Sequence, residues 1–198
     1  MPARLATSPD ARQLPRIVSQ AGNTALLQTR KVGLLCSRRC PGTIIVQTLD
    51  LALALRDSTA TVVGGFQSSM ERECLETLLR GKHPVIVCPA RGIDGMRLPA
   101  AWETAIAENR MLLASAFGAK RRRATADLAE KRNRLVADLA DELIIAHASP
   151  GGRLERLCHD LVASGKPLWA LDDPANAHLI ALGIRPFRAA NAAWLGKE

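Results

Sequence analysis

From Lys31 onward the chain alternates short apolar runs with longer segments of helical period. The runs cover residues 32–35, 61–63, 85–88, 112–116, 143–146 and 168–171. They are near-continuously apolar and do not alternate with polar residues, the pattern of strands covered on both faces, as in a parallel sheet. Between them, helices are predicted over about 43–56, 69–80, 99–109, 125–142 and 154–164. Six strands joined by five helical crossovers predict an α/β protein: a single doubly wound, mainly parallel sheet with helices on both faces. Residues 1–30 read as a lead-in, broken by Pro2, Pro9 and Pro15, with a short helix expected over 9–19 and a strand over 25–28. Residues 31–182 form the expected domain, with one more helix near 175–182, and 183–198 the C-terminal tail. There is no internal repeat or low-complexity tract.

In such sheets a ligand crevice lies beyond the C-terminal ends of the strands, near the switch in strand order. The residues after each strand are therefore the candidates. Ser37, Arg38 and Arg39 follow the first strand and precede a helix start, where a hydroxyl, guanidinium groups and backbone N–H groups can meet one phosphate. Gly64 and Gly65 follow the second strand and permit close backbone approach. Ser68 and Glu71 then fit a capping box, which with a tight turn explains the segment equally well without a ligand. Arg91 and Arg97 lie in the loop after the third strand, and Lys120, Arg121, Arg122 and Arg123 in a basic loop after the fourth. Charge runs of that kind are commonly solvated faces.

The helix after the basic loop carries the sharpest candidate. Leu128, Leu135, Val136 and Leu139 share the stripe that should cover the sheet, and Arg132 falls inside it. A core-facing arginine must snorkel, pair with a carboxylate or bind a ligand phosphate. Lys131, Asn133 and Arg134 point elsewhere and read as rim groups. After the fifth strand, Gly151 and Gly152 free backbone N–H groups at another helix start, and Glu155 stands in its first turn. His147 ends that strand and reads first as a structural donor, since no triad partner is visible in the sequence.

Composition narrows the partners. The 198 residues are 47% hydrophobic and 23% charged, a globular balance, with a net charge of +8 that favours polyanions. Phosphates are the natural class. Aromatic residues make up only 3% with no tyrosine, against a broad base-stacking platform; Phe66, Trp102 and Phe117 are the nearby candidates. The five cysteines form no paired zinc pattern with the four histidines, so no metal is expected and no cofactor is indicated. Reduced, mostly buried thiols are the plain reading, although Cys36 and Cys40 flank the Ser37-Arg38-Arg39 turn, where positive charge favours a reactive thiol. No stretch is long and apolar enough to span a bilayer, and the N-terminus lacks the apolar core of a secretory signal, so a cytoplasmic location is expected.

The order CSRR, VVGG, AENRMLLASAF and above all KRNRLVADLADELIIAHA resembles the Rossmann-like core of the DNA-processing protein A (Smf) family over 31–171. That family carries Gly-Ser-Arg after its first strand, matched here by Ser37 and Arg38, and an Arg-Arg-Asn-Arg helix start, matched by Lys131, Arg132, Asn133 and Arg134. The resemblance implies single-stranded DNA binding in a basic pocket, a homodimer, and delivery of DNA to the recombinase RecA. Cys36 replaces the motif glycine, and the family's Ala-Arg-Gly-Ile-Asp after the second strand is here Gln67 to Glu71 without the arginine. The ARGID at 90–94 follows the third strand instead. With no winged-helix module visible, the chain reads as a stand-alone core, and the recombinase partner is not carried over.

The same segment is similar to the cytokinin-activating phosphoribohydrolases called LOG. They carry an arginine matched by Arg132 and a Pro-Gly-Gly-x-Gly-Thr-x-x-Glu motif whose start matches Pro150, Gly151 and Gly152. The Gly-Thr is missing, and Glu155 stands two residues too close to match the catalytic glutamate. Nucleoside 5'-monophosphate hydrolysis with Glu155 or Glu71 is thus an alternative to DNA or nucleotide binding, and a small-nucleotide sensor a third.

Overall fold

The structure, a computed structural model, describes residues 16–190. Eight strands form one sheet: β1 (Ser19–Gly22), β2 (Lys31–Cys36), β3 (Thr61–Gly64), β4 (Val85–Val87), β5 (Met111–Ser115), β6 (Glu142–His147), β7 (Leu168–Leu171) and β8 (Arg185–Phe187). Their order is β1-β5-β4-β3-β2-β6-β7-β8. All neighbours run parallel except β1, which pairs antiparallel with β5. The fold is a Rossmann-like α/β sheet, as the apolar runs implied.

Alternation along the strands sends successive side chains to opposite faces, and each face has its own helical cover. Val32, Leu34, Val62, Val85, Val87, Met111 and Leu113 pack beneath α1 (Gly42–Arg56), α2 (Ser69–Leu79) and α3 (Ala100–Ala107). Leu35, Val63, Ile86, Leu112, Leu143 and Ile145 pack beneath α4 (Ala126–Leu139), α5 (Arg153–Ala163) and α6 (Ala177–Ala181). Burial on both faces is why the strands read as unbroken apolar runs. From β2 the chain winds outward through β3, β4 and β5, then returns through α4 to place β6 on the other side of β2. The switch point therefore lies between β2 and β6.

Several sequence expectations shift. The strand expected over 25–28 is a 3₁₀ helix, Thr24–Gln28, because the Asn23 side chain caps it by accepting from the Ala25 N–H. Ser19–Gly22 pairs with β5 instead, so the described part of the helix expected over 9–19 is not helical; residues 9–15, with Pro2, Pro9 and Pro15, lie outside the described residues. The helix expected to reach residue 142 ends at Leu139. Ala140 turns extended, the Asp141 carboxylate accepts from the Lys31 N–H at 2.8 Å, and Glu142 enters β6 and pairs with Arg30. The helix expected near 175–182 is a 3₁₀ turn, Pro174–Asn176, running into α6. β8, three residues with a central proline, is too short to show a period.

The end of the sheet near the switch point is pinned by fully buried Asn176. Its Nδ2 donates to the carbonyls of Ala146 and Leu171, both at 2.9 Å, and its Oδ1 meets His147 Nδ1 at 2.9 Å. This bears out the structural reading of His147. Asn176→Ala would orphan two carbonyls and a ring nitrogen, and each buried group left unsatisfied costs about 1–3 kcal/mol. A loss of about 2 kcal/mol or more is expected, read as a lowered urea midpoint with an unchanged slope.

Candidate functional site

Helical phase carries Arg132 to the buried side of α4, where it is 5% exposed. The Thr125 hydroxyl accepts from the Leu128 N–H and sets the start of the helix, and Leu135, Val136 and Leu139 seat it on the sheet. The guanidinium then reaches across the C-terminal end of β3 and lies directly on Gly65. A Cβ at position 65 would fall 1.1 Å from Arg132 Nη1, so any larger residue there would displace the guanidinium. Next in the chain, Phe66 is 4% exposed and adopts a left-handed φ of 49°, a conformation that costs a non-glycine residue energy.

The guanidinium is poorly satisfied. Nη2 makes one long bond, 3.4 Å to Gln67 Oε1, while Nε and Nη1 are buried with no hydrogen-bond partner among the described residues. Burial pulls the Arg132 pKa below the ordinary guanidinium value, opposed by the nearby Glu71 carboxylate and the Cys88 thiol. Glu71 does not pair with it directly, because one of its oxygens accepts the N–H groups of Ser68 and Gln67 at 2.9 and 3.2 Å. The capping box read from Ser68 and Glu71 is complete. An internal ion pair, the ordinary explanation for a core-facing arginine, is thus not made by Arg132.

Ser37 joins the two strands of the switch point. Its N–H donates to the His147 carbonyl at 2.7 Å, and its hydroxyl accepts from the Ser149 N–H at 2.9 Å. Arg38 and Arg39 are exposed, and their side chains make no hydrogen bond or ion pair with a described residue. They precede α1, whose first turn has no acidic residue and no side-chain cap, so its N–H groups face the turn uncompensated. α2 and α5 each carry a glutamate in the first turn.

The glycine turn before α5 is occupied from within. Glu155 Oε2 accepts from the Gly151 N–H at 2.6 Å, the Gly152 N–H donates to the Ser149 carbonyl, and Glu155 Oε1 lies 3.6 Å from His178 Nε2. A phosphate arriving there would meet a carboxylate. Lys131 is exposed and, with Lys120, Arg121, Arg122, Arg123 and Thr125, lines a basic cavity of about 540 Å³ at the start of α4. The basic run is anchored, since the Gly92 N–H donates to the Arg121 carbonyl at 2.8 Å. Asn133 is half-buried, and Arg134 bonds Asp160 on α5 at 2.6 Å.

The structure thus sets Arg132 against Gly65, just past Gly64 at the end of β3, with Ser68 capping α2 and Ser37 just past the end of adjacent β2; Lys131 sits on the cavity side and Arg134 turns to α5. Gln67, Cys88 and His178 are not singled out as site residues by the sequence: Cys88 ends the apolar run 85–88, and Gln67 lies in the turn three residues beyond β3. Among the described residues no cluster of three or more His, Cys, Asp or Glu side chains could hold a metal, and no helix is long and apolar enough to cross a membrane.

A Rossmann-like α/β domain thus carries a buried arginine, without an ion-pair partner among the described residues, and a second arginine-bearing turn at its switch point, where sheets of this class place their crevice. More narrowly, the profile described as DNA recombination-mediator protein A matches residues 2–178, and the chain belongs to that family. DNA processing protein A from Streptococcus pneumoniae is similar in fold, with a TM-score of 0.73, 20% identity, and 90% of this chain covered. This chain spans 65% of that structure's length. A DNA processing protein A from Helicobacter pylori, whose single-stranded DNA binding mode its structure describes, is similar at a TM-score of 0.71 and 22% identity, with 94% of this chain and 91% of that one covered. The molybdenum cofactor carrier protein of Chlamydomonas reinhardtii shares the fold more distantly, at a TM-score of 0.56 and 14% identity over 83% of this chain and 94% of that one. No curated relative matches the chain at a significant level.

A buried guanidinium without a carboxylate destabilises the fold that holds it. Arg132→Met, of similar length and without charge, is therefore expected to stabilise the protein by about 1–4 kcal/mol in urea unfolding. A destabilised Arg132→Met would mean that the guanidinium serves the fold.

Proposed function

We propose that this protein binds single-stranded DNA, or the phosphates of nucleotides, in the crevice above β2, β3 and β6. The observation that carries this reading is Arg132: its Nε and Nη1 are buried, unpartnered and held over Gly65 at the strand end. Such a group is retained against its cost where a ligand anion completes it. The exposed Arg38 and Arg39 at the uncapped start of α1 supply a second phosphate contact, with Ser37 fixing the turn between them and β6. Lys131 and the Lys120 to Arg123 cavity extend the positive surface along the backbone of a polyanion. Membership of the family and the net charge of +8 support the nucleic-acid reading over an isolated nucleotide site. A homodimer and a cytoplasmic location belong to the same proposal.

Hydrolysis of a nucleoside monophosphate draws less support from the geometry. It requires a carboxylate held against the ribose as positive charge develops. Glu71 and Glu155 both accept backbone N–H groups of their own turns. No free base is expected to be released from AMP; release that disappears in Glu155→Ala would instead establish the hydrolase.

Fluorescence titration with an oligo-dT tests the binding reading. Micromolar or tighter affinity is expected, falling with salt at a log–log slope of about 0.7 per phosphate neutralised, and lost in Arg38→Ala and Arg132→Ala. Absence of binding at low salt would overturn the proposal.

A further inference from the structure

Gln67 is the side chain that meets both the buried guanidinium and solvent. Gly64, Gly65 and Phe66 before it are buried, whereas Gln67 is half-buried. Its Oε1 accepts from Arg132 Nη2 at 3.4 Å, the hydrogen bond that the guanidinium makes among the described residues. Arginine only donates, so the atom turned toward it is necessarily the amide oxygen. At 3.4 Å between neutral oxygen and nitrogen donor the bond is long and correspondingly weak. Nothing else described holds the side chain, since its Nε2 makes no hydrogen bond to a described residue.

The backbone under Gln67 is fixed by contrast. The N–H groups of Gln67 and Ser68 both donate to Glu71 Oε2, at 3.2 and 2.9 Å, and the Ser68 hydroxyl accepts from the Glu71 N–H at 3.2 Å. Movement at this position is therefore confined to the side-chain torsions, which turn without breaking the capping box.

We propose that Gln67 gates the Arg132 site and sets its preference for anions: the amide oxygen holds the place of a ligand oxygen on the guanidinium, and an entering phosphate displaces it by rotating the side chain. The identity of the anion rests on the function proposed above. A neutral ligand oxygen arriving at Nη2 gains nothing over the amide oxygen it replaces. An anionic oxygen makes a charge-assisted bond, roughly twice as strong as a neutral one. A phosphate also brings a second oxygen to the planar fork, where Nε and Nη1 are left without a partner by the single oxygen of Gln67. Gln67→Glu puts a carboxylate of the same shape in the same place. It supplies the ion pair that Arg132 lacks and closes the site from within.

Oligo-dT titration and urea unfolding of the full-length variants test the gate. Gln67→Ala, which removes the internal competitor, is expected to bind about twofold or more tightly than the unaltered chain. Gln67→Glu is expected to bind about tenfold or more weakly. Ser69→Glu adds the same charge at an exposed position two residues on, and is expected to change affinity by less than about twofold at physiological salt. In urea, Gln67→Glu is expected to raise the unfolding midpoint, and to lose that gain in an Arg132→Met background where no cation remains to be paired. A Gln67→Ala protein that binds no more tightly, or a Gln67→Glu protein weakened only as much as Ser69→Glu, would overturn the gate while leaving the proposed function standing. The same midpoint gain with and without Arg132 would overturn the pairing on which the gate depends. Absence of oligo-dT binding by the unaltered protein would overturn the proposed function and the gate with it.

Discussion

The guanidinium of Arg132, buried against Gly65, is the constraint on which the end of β3 depends. Desolvating a cation is costly, and a carboxylate in direct contact usually offsets the penalty. Here Glu71 approaches but is held by the Ser68 and Gln67 N–H groups. Around the arginine, a side chain at position 65 would displace the guanidinium, Phe66 takes a left-handed φ, and α4 keeps a phase that places Arg132 among its apolar contacts. Three unfavourable local features meet at one strand end of an otherwise regular α/β core. Clustering of that kind is expected where a site is kept ready for a ligand.

The crevice is also uneven in charge. The starts of α2 and α5 are neutralised by Glu71 and Glu155, so neither offers free positive potential to an anion. The start of α1 is not, and it is the one preceded by Arg38 and Arg39. Positive potential therefore concentrates on the β2 and β3 side of the switch point and continues through Lys131 to the basic cavity. This division separates the glycine turns, which look alike as sequence, into one shaped by an arginine and another closed by its own glutamate.

Much of the fold was legible because the central strands are buried on both faces, which leaves a plain record in apolar runs. The edges were not: β1 and β8 are covered less completely and carry no apolar run, and the 3₁₀ helix at Thr24–Gln28 turns on one side-chain cap at Asn23. Within the site, Arg132 was legible because helical period alone assigns it to the buried stripe. Gln67, Asn176 and His178 were not, because their roles depend on contacts between residues distant in sequence or on turn geometry. Gly151 and Gly152 read as a phosphate turn, and the sequence alone could not show that Glu155 folds back onto the Gly151 N–H.

The central claim is that the unpartnered nitrogens of Arg132 receive the anion. Arginine Nε–H resonances in a ¹⁵N-labelled protein report this directly, with the Arg132 signal assigned by its disappearance in Arg132→Lys. On addition of oligo-dT that signal is expected to move with the bound fraction, as a phosphate accepts from a nitrogen that has no partner among the described residues. An Arg132 resonance that stays in place while signals of exposed arginines shift would show that DNA is held by the surface alone, and would contradict the account.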